Sequence, residues 1–144
     1  MADLYSTETA GVDTRPAVKP SAGAYGARYR RYRASITLAA QATTDNIMCA
    51  VIPAGSIFAG GVITSSVSLG TAVIAIGTNK VHASNGQLRP AGTFTVADTP
   101  TNFGTAAALS QAALAADTRI YLTIATAALP ASGTLVVDLY YSNA

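Results

Sequence analysis

Charge is what this chain has least of. Of 144 residues only 11% are Asp, Glu, Lys or Arg, while half are hydrophobic; about 25% charged is usual for a globular domain. A surface so poor in charge suits a molecule that packs against copies of itself. It also suits a small Ala- and Thr-rich domain that is simply neutral outside. A single cysteine, Cys49, excludes an intrachain disulfide, and its apolar neighbours make it a small buried hydrophobe rather than a nucleophile. No run of about 18 apolar residues free of turn formers is present, which argues against a transmembrane helix. The opening MADLYSTETAGVDTRP has no hydrophobic core of a secretory signal, which points to synthesis and assembly in a cytoplasm.

Groups that do chemistry are equally scarce. His82 is the only histidine, and no Cys or acidic cluster stands at metal-ligand spacing from it. Asp45, Asp98 and Asp117 sit in or beside turn signals, where Asp commonly bonds its own backbone, and Asp138 is far from them. The glycines Gly55, Gly60, Gly61, Gly70 and Gly77 form no strand–loop–helix phosphate cradle. No Ser-His-Asp arrangement stands out. The expectation is a non-enzyme with no cofactor and no metal.

What is there instead is an uncharged stretch at residues 47–78, IMCAVIPAGSIFAGGVITSSVSLGTAVIAIGT. Two turn signals, Pro53-Ala54-Gly55 and Ser68-Leu69-Gly70, cut it into runs at 47–52, 57–67 and 71–78. Short apolar runs bounded by Gly and Pro read as buried strands of a sandwich or barrel. Gly60-Gly61 marks a bulge or bend inside the longest of them.

The rest of the chain divides around this centre. Residues 1–27 carry Thr, Ser, Gly, Ala and Pro without apolar periodicity, and Pro16 and Pro20 favour extended backbone. They read as an arm, either a disordered tail or a segment ordered on a neighbouring subunit, with Tyr5 and Tyr25 as candidate anchors. Residues 28–144 form the folded domain. Residues 1–33 hold six basic and three acidic residues, net +3; residues 34–144 hold three and four, net −1. The cluster Arg28, Arg30, Arg31 and Arg33 therefore marks the junction of arm and domain. It suits phosphates or an acidic protein surface, but the remaining sequence offers no second basic cluster to support nucleic acid.

From Tyr29 the pattern has a period of two. Tyr32, Ala34, Ile36 and Leu38 share one face of a strand, with Arg31, Arg33, Ser35 and Thr37 on the other. Asn85-Gly86 predicts a hairpin turn between Val81-His82 and residues 87–89, and Pro90 an edge position. Residues 93–96 alternate as a short strand that runs into the turn Asp98-Thr99-Pro100. Residues 105–116 are Ala-rich and predict one short helix or an irregular connection. Two closing strands place Ile120, Leu122 and Ile124 on one face, and Leu135, Val137, Leu139 and Tyr141 on another. About eight strands with short turns make an all-β, two-sheet sandwich, with a jelly roll the preferred topology.

Several turns and strand edges carry a family pattern: Asp45-Asn46-Ile47, Val51-Ile52-Pro53-Ala54-Gly55, Ser68-Leu69-Gly70, Ile74-Ala75-Ile76-Gly77, Asp98-Thr99-Pro100, and Leu129-Pro130-Ala131-Ser132-Gly133-Thr134. On these the chain resembles the head decoration, or cement, proteins of tailed bacteriophages. The resemblance covers most of residues 33–142 and none of the arm. It implies a β-sandwich that assembles as a small ring, a homotrimer at capsid three-fold positions, bound to the major capsid protein on the virion exterior. It transfers no functional residue, because the matching positions are architectural. The capsid- and subunit-contact candidates, Tyr5, Tyr25, Arg28, Arg30, Arg31 and Arg33, come from the arm and its junction. The competing expectations are a tail- or fibre-associated virion protein with a receptor-binding role, for which Phe103 is the main loop aromatic, and a nucleic-acid-binding module. No membrane partner is expected.

Overall fold

The computed structural model describes residues 28–143. The chain forms eight strands: β1 Tyr29–Thr37, β2 Asn46–Ile52, β3 Ser56–Ser65, β4 Val73–Gly77, β5 Arg89–Thr93, β6 Thr101–Phe103, β7 Thr118–Ala125 and β8 Thr134–Asn143. They build two four-stranded antiparallel sheets in the orders β1-β8-β3-β6 and β2-β7-β4-β5. Apart from β4 to β5, every connection crosses from one sheet to the other. That interleaving of two Greek keys is the jelly roll.

Alternation decides which side chains go inside. On β8, Leu135, Val137, Leu139 and Tyr141 are buried; on β7, Ile120, Leu122 and Ile124 are; on β1, Ile36 and the following Leu38 are. These side chains meet Ile52, Phe58, Ile63, Ile74 and Ile76 from the central stretch in one core between the sheets. Each fully buried Leu or Ile contributes roughly 1.5–3 kcal/mol.

The stretch 47–78 is nonetheless not buried throughout. β2 lies at a sheet edge, and a register shift between Met48 and Ala50 leaves Cys49 as an extra, bulged residue. The bulge breaks the period of two. Cys49 and Ile52 face the core, while Met48 and Val51 remain exposed.

Three local expectations are corrected. Residues 81–89 do not form a hairpin: His82–Ser84 is a single 3-10 turn, and the segment lies across β4 and β7 instead of pairing with itself. The Asn85 amide is the reason, since it donates to the carbonyls of Ala75 (3.2 Å) and Tyr121 (3.1 Å) and so fastens the loop to the sheet. Residues 94–96 form no strand. Phe94 turns into the core, and its carbonyl accepts from Leu69 N at 2.9 Å. The edge strand falls later, at β6, so Phe103 is a strand residue half-buried against β3 rather than a loop aromatic. The Ala-rich segment yields one helical turn, α1, Ala106–Leu109, capped by Thr105 Oγ1 accepting from Ala108 N at 3.0 Å. Pro90 does lie on an edge strand, β5.

Candidate interaction face

The junction arginines enter through β1, whose nine residues pair along β8 from Tyr29↔Ser142 to Thr37↔Thr134. Because Ile36 points inward, the odd-numbered residues of β1 point out. The outer face of the sheet can then be read across the strands. Arg31 stands opposite Tyr140, with Gly60 beyond it on β3. Arg33 stands opposite Asp138, with Val62 beyond on β3 and Asn102 on β6.

Arg33 and Asp138 form a two-pronged pair, Nε to Oδ1 at 2.8 Å and Nη2 to Oδ2 at 2.7 Å. A lone acid in the apolar run Leu135-Val136-Val137-Asp138-Leu139 needs such a partner, because an unpaired buried carboxylate is costly. The hydrogen bonds from Arg33 hold the Asp138 carboxyl below its usual range, helped by the positive charges of Arg33 and Arg31 and opposed by burial. The same hydrogen bonds raise the Arg33 guanidinium above its usual value.

The four arginines at 28–33 therefore do different things. Arg33 is engaged within its own sheet. Arg30 lies at the sheet's end, where the Asn143 amide oxygen, turned towards it, accepts from Nε and Nη2 at 3.2 Å. Arg28 and Arg31 are exposed. Tyr5 and Tyr25 lie outside the described residues.

Above this row the sheet is dented. Residue 59 is an extra residue on β3, since Phe58 pairs with Tyr141 and Gly60 with Tyr140. This is the bulge expected at Gly60-Gly61. Gly60 sits at φ +127°, a conformation open to glycine, and Gly61 lies under the Phe103 ring, which a Cβ would strike. The result is an open groove of about 530 Å³ whose walls include Tyr29, Tyr140, Phe103 and Leu109. Beneath it, on the inward side, Tyr141 packs edge-on against Phe58 (5.4 Å) and Tyr32 (6.1 Å).

On the opposite sheet His82 serves the loop. Its Nδ1 lies 3.1 Å from Thr123 Oγ1, which also accepts from Asn85 Nδ2 at 3.0 Å. Lys80 Nζ rests 5.3 Å from the Tyr121 ring centre. Among the described residues no three His, Cys, Asp or Glu side chains gather as metal ligands would, and no helix is long and apolar enough to cross a membrane. Burial pushes the Cys49 thiol up to about 12, which keeps it protonated and unreactive.

Sequence reasoning found the arginines but not the partner of Arg33, nor the groove. The charged residue inside an apolar strand was the available signal for the first. The groove had only the paired glycines, which mark a bulge without saying what stands around it.

No protein-family model matches the sequence, and no curated protein matches it. Two solved structures share the fold. A chain in the cyanophage Pam1 capsid asymmetric unit aligns with a TM-score of 0.66 at 18% identity, over 88% of this chain and 92% of that chain. A chain in the capsid of Ralstonia phage GP4 aligns with a TM-score of 0.61 at 14% identity, over 82% of this chain and 84% of that one. At these identities the likeness establishes a common jelly-roll fold.

Proposed function

We propose that this chain is a structural component of a bacteriophage virion, a decoration or cement protein bound to the outside of the capsid. The observation that carries this reading is the fold match, which spans nearly the whole of this chain and nearly the whole of each capsid chain. The matched chains are thus about this size, not domains cut from a larger shell subunit. The chemistry agrees. The chain has few charges, a two-sheet sandwich, and an outer face that carries exposed Tyr29 and Arg31 beside half-buried Tyr140, residue types enriched at protein interfaces. Its partners in this reading are the major capsid protein and further copies of itself, as a homotrimer, with residues 1–27 holding neighbouring subunits. The receptor-binding reading has less support, because Phe103 covers Gly61 on β6 rather than standing in a loop.

The test is made on virions of the phage that encodes the chain. Mass spectrometry of purified particles should find it in a fixed ratio to the shell subunit. Stripped capsids should rebind the purified protein to saturation and then resist heat better. Particles that lack the protein, or stripped capsids that ignore it, would defeat the proposal.

A further inference from the structure

The groove on the β1-β8-β3-β6 sheet has the form of a receptor for extended chain. Tyr29 and Tyr140 flank one side, Phe103 and Leu109 the other, and Gly60 and Val62 belong to its floor. Tyr29 is 73% exposed and Leu109 47%, so both sides leave apolar surface open to water. The floor is clear as well, for nothing lies within 4 Å of where a Cβ of Gly60 would stand. Aromatic walls over a shallow backbone floor suit a proline-containing segment, which is already extended and loses little entropy on docking.

Outside the described residues this chain carries two prolines four positions apart, in Thr14-Arg15-Pro16-Ala17-Val18-Lys19-Pro20. It is tied to the groove's own wall, because Tyr29 is the first residue of β1. An extended continuation of β1 would run off the end of its own sheet and away from its own groove. The groove it meets without reversing belongs to a neighbour. Residues 21–27 would span roughly 23–25 Å when extended. A folded domain of about 100 residues has a radius of gyration of about 13 Å, so that span reaches a touching neighbour.

We propose that the groove is the docking site for residues 14–20 of a second copy of this chain. Each copy then donates one segment and receives one, and a head-to-tail exchange of this kind makes a ring where the rotation between copies closes. The proposal rests on the reading of the chain as a self-associating capsid component, and names the contact that holds the ring together.

The experiment uses the full chain in solution, without capsids. A photoreactive p-benzoylphenylalanine replaces Tyr140 in one preparation and Leu109 in another, and isotopically heavy and light chains are mixed before irradiation. Crosslinks from either position to residues 14–20, found in heavy–light pairs, are the expected result. Crosslinks within one chain, crosslinks to the sandwich of another copy, or none at all would overturn it. Val62→Arg fills the groove from its floor, and should leave the circular dichroism spectrum unchanged while reducing the mass in light scattering to that of one chain. An undiminished oligomer would count against the site. Capsid binding is scored separately: heavy–light crosslinks in a protein that ignores capsids uphold the groove and defeat the cement reading. Capsid binding without such crosslinks overturns the groove and leaves that reading standing.

Discussion

Arg33 and Asp138 show how much one residue can be asked to do. Asp138 is buried, yet its charge is retained because both carboxylate oxygens accept from one guanidinium. Its folded pKa is lowered, so the folded state binds fewer protons than the unfolded chain at acidic pH. The stability this contributes is complete above the ordinary carboxylate value of about 3.9 and is lost as pH falls through the lowered folded value. Wild type should therefore unfold at higher urea than Asp138→Asn at pH 7, and the two midpoints should converge below about pH 4. A gap that stays constant with pH would mean that packing, not charge, is responsible. Arg31→Ala, which leaves the fork intact, should barely move the midpoint. Cys49 gives a second check at this scale. With its thiol pushed up to about 12, against about 8.5 for a free cysteine, alkylation at pH 8 should be slower by at least about 100-fold until urea unfolds the chain. Gly61→Val should cost about 1–3 kcal/mol, because the added side chain must displace the Phe103 ring; thermal unfolding reads this directly.

At the scale of elements, the strands that sequence predicts well are those whose apolar residues recur with a period of two. β1, β7 and β8 do so, and their inward residues follow from it, although residues 120–124 of β7 are buried on both faces. Predictions failed where a side chain outbid local backbone preference. Asn85-Gly86 favours a tight hairpin in isolation, but the Asn85 amide is worth more against β4 and β7, where two carbonyls and Thr123 Oγ1 await it. The loop from residue 78 to residue 88 thereby covers Tyr121 and Thr123, which face outward and are still buried. Asn85→Ala should cost about 1–3 kcal/mol in stability. It should also speed hydrogen exchange at Asn79 and at the 3-10 turn, while amides of β8 keep their protection. Equal acceleration across both sheets would show global loosening instead. β6 escaped notice because a three-residue strand is too short to show a period; it exists because β3 offers it an edge next to Gly61.

At the scale of the whole molecule, the proposed docking of residues 14–20 makes the sandwich depend on its neighbours. Removing residues 1–27 should leave the cooperative unfolding transition in place while capsid binding falls sharply, since avidity through linked contacts is lost. Undiminished binding by the truncated protein would remove the arm from the assembly. The outer face should respond differently from the core. Tyr140→Ala should reduce self-association with little change in unfolding temperature, whereas Leu139→Ala should lower stability by about 2–5 kcal/mol.

Composition and alternation alone determined that the chain is all-β, that four of its basic residues cluster at 28–33, and which residues of β1, β7 and β8 point into the core. Those properties are local: a period of two and a Gly or Pro at a turn act over a few residues. The strand order, the Arg33–Asp138 pair 105 residues apart in sequence, and the groove over Gly60 were decided only by the tertiary structure. Each depends on which distant strand lies alongside, and in a jelly roll nearly every neighbour in space comes from elsewhere in the chain. The free energy that selects those neighbours is burial summed over the two sheets together, and no single segment carries it.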